Sequence, residues 1–345
     1  MKKYHVAVVG ATGAVGQRIL QQLTKRNFPI ETITFLASKR SAGKEIQFSG
    51  QTYVIKEAVP EAFDGVDFAF FSAGGSVSKA LAPEAAARGA IVIDNTSAFR
   101  MDPEVPLVVP EVNRHDLKQH NGIIANPNCS TIQMVCVLEP LRKAFGLKKV
   151  IVSTYQAVSG AGAIAIDELK KQSNHFENRS DISADILPVR SGEKHYPIAF
   201  NAIPQIDVFT DNGYTYEEMK MINETKKIMH MPELKVAATC VRLPVVAGHS
   251  ESVYVETESE GVTIEQIRNI LTEAEGVTVM DRPEDAVYPM PLFAEGEDDV
   301  FVGRIRHDID DPSNLHLWIV ADNLLKGAAL NSIQIAEAII EDGIR

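Results

Sequence analysis

The first part of the chain alternates between short apolar runs and segments with helical spacing. Four apolar runs are rich in β-branched or aromatic side chains, a composition typical of strands; they comprise residues 6–9, 32–37, 66–72 and 91–94. Between them, residues 14–25 and the alanine-rich residues 78–88 carry helical spacing. This β-α-β order predicts an α/β domain with a parallel sheet and helices on both faces.

From about residue 130 the pattern changes to longer strands with alternating polar positions. The predicted strands are residues 150–158, 236–246, 251–256 and 315–321, and the predicted helices are residues 130–145, 164–172 and 215–229. Such alternation indicates a large mixed or antiparallel sheet, and therefore a second, α+β domain. We assign a last amphipathic helix, residues 324–340, to the first domain. The predicted domains are thus residues 1–128 with 324–345, and residues 129–323.

Composition narrows the class of protein. The chain has 345 residues, which is more than the roughly 250–300 that one core usually supports. Its net charge is −12 and it has no run of five or more basic residues, so neither nucleic acid nor an anionic membrane is expected as a partner. Three cysteines, Cys129, Cys136 and Cys240, lack the spacing of a disulfide framework or a zinc site. We therefore expect a cytoplasmic protein without a metal.

A glycine-rich loop lies directly between the first predicted strand and the first predicted helix. Gly10, Gly13 and Gly16 have the spacing G-x-x-G-x-x-G, and Thr12, Ala14 and Val15 fill the same turn. Glycines there allow a tight turn and let backbone N–H groups approach a pyrophosphate at the helix start. The alternative is an ordinary glycine-rich turn, but its place in a β-α-β series favours a Rossmann-type dinucleotide site.

The end of the second predicted strand distinguishes NAD from NADP. An NAD site usually has an acidic residue there to bind the ribose 2′-hydroxyl. This chain has Ser38, Lys39, Arg40 and Ser41 instead. Cations and hydroxyls suit a 2′-phosphate, because charge-assisted bonds to phosphate are strong. A solvated surface turn is the alternative, and NADP is the favoured cofactor.

Cys129 is the candidate nucleophile. It follows an apolar run in the sequence NPNCST and opens the next predicted helix. A helix start stabilises a thiolate, and its N–H groups can hold an oxyanion. A lone cysteine is more often a small buried side chain, which is how we interpret Cys136. The polar residues around Cys129 favour the functional interpretation.

Two further residues lie around a predicted bend in the second domain. Arg242 sits in an apolar strand, where a guanidinium must find an anion and is suited to gripping a carboxylate. A structural salt bridge is the alternative. His249 follows Gly248 at the bend, although spacing alone does not select it among nine histidines.

Six motifs together resemble the bacterial aspartate-β-semialdehyde dehydrogenases. The motifs are residues 10–16, 94–100 (DNTSAFR), 126–131 (NPNCST), 155–160 (YQAVSG), 236–250 (VAATCVRLPVVAGHS) and 321–328 (ADNLLKGA). The resemblance runs from residue 4 to the C-terminal helix. It implies a Rossmann-type domain followed by a catalytic and dimerisation domain.

The resemblance also implies a role for each matching residue. Cys129 matches the acyl-enzyme nucleophile and His249 the general acid/base, for which an ordinary imidazole pKa near 6.5 is well placed. The remaining matches fall on substrate, phosphate and cofactor positions: Gln156 orients substrate and thioester, Arg242 and Glu217 bind the substrate, Arg100 and Lys220 bind phosphate, and Ser159, Gly160 and Asn323 lie near the nicotinamide. Glu218 is adjacent to Glu217, so a slip of one residue would exchange the carboxylates.

The implied reaction reduces L-4-aspartyl phosphate with NADPH to L-aspartate 4-semialdehyde and phosphate, through a thioester on Cys129. That reaction belongs to the biosynthesis of lysine and diaminopimelate, threonine, methionine and isoleucine. The alternative is an N-acetyl-γ-glutamyl-phosphate reductase, which would not need a carboxylate for a free α-ammonium group. The family precedent is a homodimer, sometimes paired into a tetramer.

Overall fold

The computed structural model describes residues 2–344, apart from the side chain of Asp181. The chain divides into two compact units. The first unit comprises Met1–Asn128 with Ala328–Arg345, and the second unit comprises Cys129–Gly327. Among the described residues, no helix is long and apolar enough to cross a membrane.

The first unit is built around a parallel sheet. Within Met1–Asn128 its helices and strands are β1 (Tyr4–Val9), α1 (Ala14–Lys25), β2 (Ile30–Ala37), β3 (Glu45–Phe48), β4 (Gln51–Val54), β5 (Lys56–Glu57), β6 (Phe68–Phe71), α2 (Gly75–Ala87), β7 (Ile91–Asp94), α3 (Pro110–Asn113) and β8 (Ile123–Ala125). Within residues 2–344, six of these strands pair in the order β5-β2-β1-β6-β7-β8, all parallel. The predicted parallel sheet is therefore confirmed. The antiparallel pair of β3 and β4 was not predicted.

Both faces of this sheet are buried, as its apolar runs require. Along β1, Val6 and Val8 pack into one core with Ile19 of α1. Ala7 packs into a second core with Ala82 of α2. Successive side chains of a strand point to opposite faces, so a continuous apolar run serves both cores.

The second unit contains a larger mixed sheet. Its elements are α4 (Cys129–Phe145), β9 (Leu147–Gln156), α5 (Ala163–Ser173), α6 (Tyr216–Ile228), β10 (Lys235–Arg242), β11 (His249–Thr257), α7 (Ile264–Thr272), β12 (Val277–Val279), α8 (Pro291–Ala294), β13 (Val300–His307) and β14 (Asn314–Ala321). In the described part of the chain, six strands pair in the order β10-β9-β11-β14-β13-β12. The β9/β10 and β12/β13 pairs are parallel and the other three are antiparallel. This confirms the predicted mixed sheet.

The prediction missed strand β13. Its alternation is interrupted at Gly303, and its pairing with β14 shifts register between Gly303 and Arg306. A bulge of this kind breaks the period of two from which a strand is predicted.

One face of the mixed sheet packs against helices, since α4, α6 and α7 all contact its strands. The opposite face carries partly exposed apolar and aromatic side chains. Ile151 on β9 is 39% exposed. On the same face Tyr155 lies against Trp318, with ring centroids 5.5 Å apart. We call this the aromatic sheet face.

The C-terminal helix differs from its prediction. In place of one helix over residues 324–340, a π-helical turn at Leu325–Ala329 precedes α9 (Leu330–Asp342). Such turns occur frequently at functional sites. Gly327 lies in this turn, and a Cβ added to it would come 2.7 Å from Cβ of Cys129. The wider turn therefore brings bare backbone against the candidate nucleophile.

Candidate active site

A cavity of about 620 Å³ opens at the carboxyl ends of β1, β2 and β6 in the first unit. We call it the glycine-loop cavity. Of the predicted cofactor residues, six line it: Gly10, Thr12, Gly13, Ser38, Arg40 and Ser41. Ala14, Val15 and Gly16 are not among its lining residues. Ser72, Ala73 and Ser76 do line it and were not predicted, although they follow the end of β6 as Gly10 follows β1.

The glycines of this cavity are required by geometry. Gly10 has φ of +88°, and an added Cβ would lie 2.9 Å from the backbone of Ser72. A Cβ on Gly16 would collide with the carbonyl oxygen of Gly10. Helices α1 and α2 both begin after a glycine that offers no side-chain cap. Their first N–H groups therefore suit a pyrophosphate.

The polar groups of the cavity agree with the choice of NADP. No described residue that lines it is acidic, whereas Arg40 and two serines, Ser38 and Ser41, stand after β2. A carboxylate would repel a 2′-phosphate, and a guanidinium can hold it through paired hydrogen bonds. The residues present fit this cofactor.

Arg100, a predicted phosphate ligand, belongs to the first unit. Its side chain is buried, and Nη2 donates to the carbonyl oxygen of Asn95 at 2.9 Å. The hydroxyl of Ser332 on α9 donates to Oδ1 of the same asparagine at 2.7 Å. The guanidinium is thus fixed to the segment that follows β7.

Cys129 is the first residue of α4, as predicted for a reactive thiol, and is half-buried. Gln156, the last residue of β9, approaches this helix start, since its Nε2 donates to the hydroxyl of Ser130 at 2.6 Å. The same Nε2 donates to Oε1 of Glu217 at 3.1 Å. Together with Arg242 and His249, these residues form what we call the thiol centre: Cys129, Gln156, Glu217, Arg242 and His249.

The two adjacent glutamates of α6 have different partners. Glu218 completes a capping box with Thr215, and its other oxygen accepts from the backbone N–H of Cys240 at 3.0 Å. Glu217 instead accepts from Gln156 of the thiol centre. Helical geometry turns neighbouring side chains by about 100°, so only one of the pair can face the site. The structure favours Glu217, and both side chains are buried, which excludes a solvated charged face.

Lys220, the second predicted phosphate cation, is held by carboxylates. Its Nζ lies 2.9 Å from Oδ2 of Asp207 and 3.2 Å from Oε2 of Glu217. Its charge is therefore already balanced, which weakens the phosphate assignment that the resemblance implied.

Arg242 ends β10 and is buried in the thiol centre. Its Nη1 donates to the carbonyl oxygen of Ala157 at 2.7 Å, whereas its buried Nε has no described partner. Burial lowers the pKa of this arginine, while Glu217 and Cys129 oppose that shift. A Cβ added to Gly160 would lie 3.0 Å from Nη1 and 3.4 Å from Nε2 of His249. Gly160 therefore keeps open a space beside both side chains.

His249 is buried at the start of β11, and its ring has a defined tautomer. Its Nδ1 accepts from the backbone N–H of Ala157 at 3.1 Å. A backbone N–H can only donate, so Nδ1 is bare and the neutral ring carries its proton on Nε2. Buried Nε2 has no partner among the described side chains and faces the space beside Gly160.

The expectation of an ordinary imidazole pKa near 6.5 was wrong. Burial, with a smaller contribution from Arg242, lowers the pKa of His249 to about 3. The imidazolium would have to be formed next to a guanidinium and away from water, which is unfavourable. His249 is therefore neutral at physiological pH and offers a hydrogen-bond donor at Nε2.

Ser159 and Asn323, predicted near the nicotinamide, hydrogen-bond to each other at 3.0 Å. Oδ1 of Asn323 also accepts from the backbone N–H of Gly248 at 3.0 Å. These contacts fix the bend that precedes His249. Both residues thus support the bend next to the thiol centre, and their cofactor role stays a prediction.

Comparison with protein families agrees with the division of the chain. Residues 5–120 match the family described as semialdehyde dehydrogenase, NAD binding domain. Residues 138–326 match the semialdehyde dehydrogenase dimerisation domain.

Individual relatives and solved structures point the same way. An aspartate-semialdehyde dehydrogenase of Bacillus subtilis (strain 168) is 67% identical over 335 residues, 97% of each chain. The crystal structure of aspartate semialdehyde dehydrogenase II from Vibrio cholerae complexed with ASA superposes with a TM-score of 0.91 at 46% identity, covering 99% of both chains. The Candida albicans enzyme with NADP superposes over 100% of both chains with a TM-score of 0.77 at 26% identity.

Proposed function

The chain belongs to the aspartate-semialdehyde dehydrogenase family, and we propose that it reduces L-4-aspartyl phosphate with NADPH to L-aspartate 4-semialdehyde and phosphate. The observation that carries this proposal is the thiol centre, where Cys129 at a helix start shares one site with Gln156, Glu217, Arg242 and His249. The product is a precursor of lysine and diaminopimelate, threonine, methionine and isoleucine.

The substrate is held by its amino-acid end. Arg242 binds the α-carboxylate, because a buried guanidinium offers paired donors of matching geometry. Glu217 receives the α-ammonium, and Gln156, which already donates to Glu217 and Ser130, orients the acyl group above Cys129. An N-acetylated substrate has no ammonium group for Glu217 to receive.

Acyl transfer comes first. Sγ of Cys129 forms a bond to the acyl carbon while the bond between that carbon and the phosphate oxygen breaks, and phosphate leaves with the electron pair. We propose Arg100 as the principal phosphate cation. Lys220 must loosen from Asp207 and Glu217 before it can contribute.

Reduction follows. Bound NADPH supplies the hydride that the thioester carbon receives. Negative charge then develops on the thioester oxygen, and Nε2–H of His249 donates to it. When this tetrahedral species collapses, Cys129 leaves as a thiolate and the semialdehyde is released. The cycle starts and ends with a thiolate, and its one proton is taken up by phosphate. His249 therefore acts as a fixed donor, and no imidazolium is needed.

We also propose that the chain works in the cytoplasm as a homodimer. Its cysteines stay reduced in that compartment. The aromatic sheet face, with Ile151, Tyr155 and Trp318, offers apolar area to a second copy. Analytical ultracentrifugation distinguishes this dimer from the tetramer that two such dimers would form.

The experiment that tests the proposed function is an assay of phosphate-dependent NADP⁺ reduction. Aspartate semialdehyde and N-acetylglutamate semialdehyde are compared at equal concentrations, with and without phosphate. We expect turnover with aspartate semialdehyde only, and only when phosphate is present. Faster turnover of the acetylated compound, or turnover independent of phosphate, would overturn the proposal.

A further inference from the structure

A buried carboxyl group lies two residues beyond His249 and has no place in the proposed reaction. Glu251 is completely buried on β11, and neither of its carboxyl oxygens has a hydrogen-bond partner among the described residues. A buried carboxylate without a cation or a donor is among the costliest groups in a protein. Some feature of its surroundings must therefore lower the free-energy cost of burying Glu251.

The described neighbours of Glu251 on the adjacent strands carry no charge. Thr154 lies opposite it on β9, and its buried hydroxyl interacts with the thiol of Cys240, whose pKa it lowers in part. Ile319 lies opposite it on β14. Burial raises the pKa of the nearby thiol of Cys240 on β10, with smaller contributions from acidic residues that include Glu251, so this neighbour carries no charge either.

Gln133 connects this group to the thiol centre. It lies one turn after Cys129 on the buried face of α4, and its Nε2 donates to the carbonyl oxygen of His249 at 3.3 Å. Its Oε1 is buried and has no donor among the described residues. Gln133 influences the pKa of Glu251, although the two side chains do not meet with the geometry of a full hydrogen bond. Both carboxyl oxygens of Glu251 and Oε1 of Gln133 are thus buried acceptors for which the described residues supply no donor of full hydrogen-bond geometry.

A single proton on the carboxyl group of Glu251 would supply the missing donor. We propose that Glu251 is a positioning residue that works as a neutral carboxylic acid. Its hydroxyl donates to Oε1 of Gln133, and this keeps Nε2 of Gln133 turned toward the carbonyl oxygen of His249. The helix that begins with Cys129 is thereby tied to the strand that begins with His249. An ionised Glu251 would accept from Nε2 instead and release that tie.

The pKa of Glu251 agrees with this assignment. Burial raises it well above the ordinary value, Gln133 opposes the shift only in part, and no described lysine or arginine lowers it. Between the ordinary carboxyl pKa and this raised pKa the unfolded state loses the proton that the folded state keeps. Stability contributed by the protonated group is present at low pH and is lost as pH rises through this window.

The direct test is infrared spectroscopy of the full-length protein at neutral pH. The difference spectrum between the wild type and Glu251→Gln should contain the carbonyl band of a protonated carboxylic acid. A carboxylate band in its place would overturn the proposal. This readout does not depend on turnover, so it can fail while the proposed reaction stands, and the reverse is also true.

Activity and stability provide the second arm, which rests on the proposed function for its assay. Glu251→Met removes the donor, and we expect kcat to fall roughly tenfold while NADPH binding is kept. Glu251→Gln retains an N–H donor and should restore kcat and raise the denaturation midpoint, increasingly so toward higher pH. The control is Glu256→Gln on the same strand, whose carboxylate pairs with Lys149 near solvent. A Glu251→Gln protein as impaired as Glu251→Met would overturn the proposal.

Discussion

The glycine-loop cavity and the thiol centre recognise their ligands in different ways. The cavity is defined by backbone: Gly10 stands at φ of +88° and two helices begin there without side-chain caps. The thiol centre is defined by side chains from α4, β9, α6, β10 and β11. Substitutions that add a Cβ should therefore damage the cavity, and substitutions that change a functional group should damage the thiol centre. The following predictions separate the two regions.

The largest effect is expected from Arg242→Lys in the thiol centre. An ammonium cannot reproduce the paired donors of a buried guanidinium, so kcat/KM for aspartate semialdehyde should fall by roughly 10³. The dissociation constant of NADPH, measured by fluorescence titration, should stay unchanged. Arg268→Lys, at a partly exposed pair with Asp281, is the control. A loss of NADPH affinity as large as the loss of kcat/KM would contradict the independence of the thiol centre from the glycine-loop cavity.

Gly10→Ala should produce the converse result. The added Cβ meets the backbone of Ser72 at 2.9 Å in a conformation that side chains rarely adopt. We expect NADPH to bind roughly 100-fold more weakly, because the glycine-rich loop must shift to relieve the collision and its N–H groups then lose hydrogen-bond distance to the pyrophosphate. Alkylation of Cys129 by iodoacetamide should keep its rate.

The control for this substitution is Gly89→Ala. Gly89 has a similar φ of +92°, but nothing lies within 4 Å of an added Cβ. It therefore reproduces the conformational strain without the collision. If both variants bind NADPH equally weakly, strain and not close approach explains the role of Gly10.

Arg40→Ala tests the one charged side chain among the described residues that line the cavity. Loss of a charge-assisted contact to the 2′-phosphate should weaken NADPH binding roughly tenfold and leave NADH binding nearly unchanged. Lys39→Ala is the matched control, since Lys39 does not line the cavity. A larger effect from Lys39→Ala would show that Lys39, and not Arg40, holds the 2′-phosphate.

The smallest effect is a difference in pH dependence. His249 has a pKa of about 3 in the folded state, below its unfolded value, so stability is complete above pH 6.5 and is lost as pH falls toward 3. Relative to His249→Gln, the wild type should lose roughly 0.5–1 kcal/mol of its free energy of unfolding between pH 7 and pH 6. Denaturant titrations at several pH values measure it. A parallel pH profile of both proteins would show that the imidazole is not buried as described.

The share of each region that could be predicted from the sequence differs, and the difference has a physical reason. The cavity lies next to contiguous motifs after β1 and β2, so its lining residues in those two loops were predicted. Ser72 and Ser76 were missed because their loop after β6 has no such motif. In the thiol centre Cys129 and Arg242 were candidates from the sequence itself and the remaining residues came from the resemblance, whereas the hydrogen-bond partners and protonation states were not predicted. The phase of α6 separates Glu217 from Glu218, and only the approach of the Ala157 N–H reveals the tautomer of His249.

The central claim is that Cys129 carries the substrate as a thioester. Wild-type protein is mixed with aspartate semialdehyde and NADP⁺ without phosphate, quenched in acid and analysed by peptide mass spectrometry. We predict one aspartyl group on the peptide containing Cys129, removable by hydroxylamine and absent from Cys129→Ala. An aspartyl group on any other residue, or NADPH formation by the Cys129→Ala protein, would contradict the account.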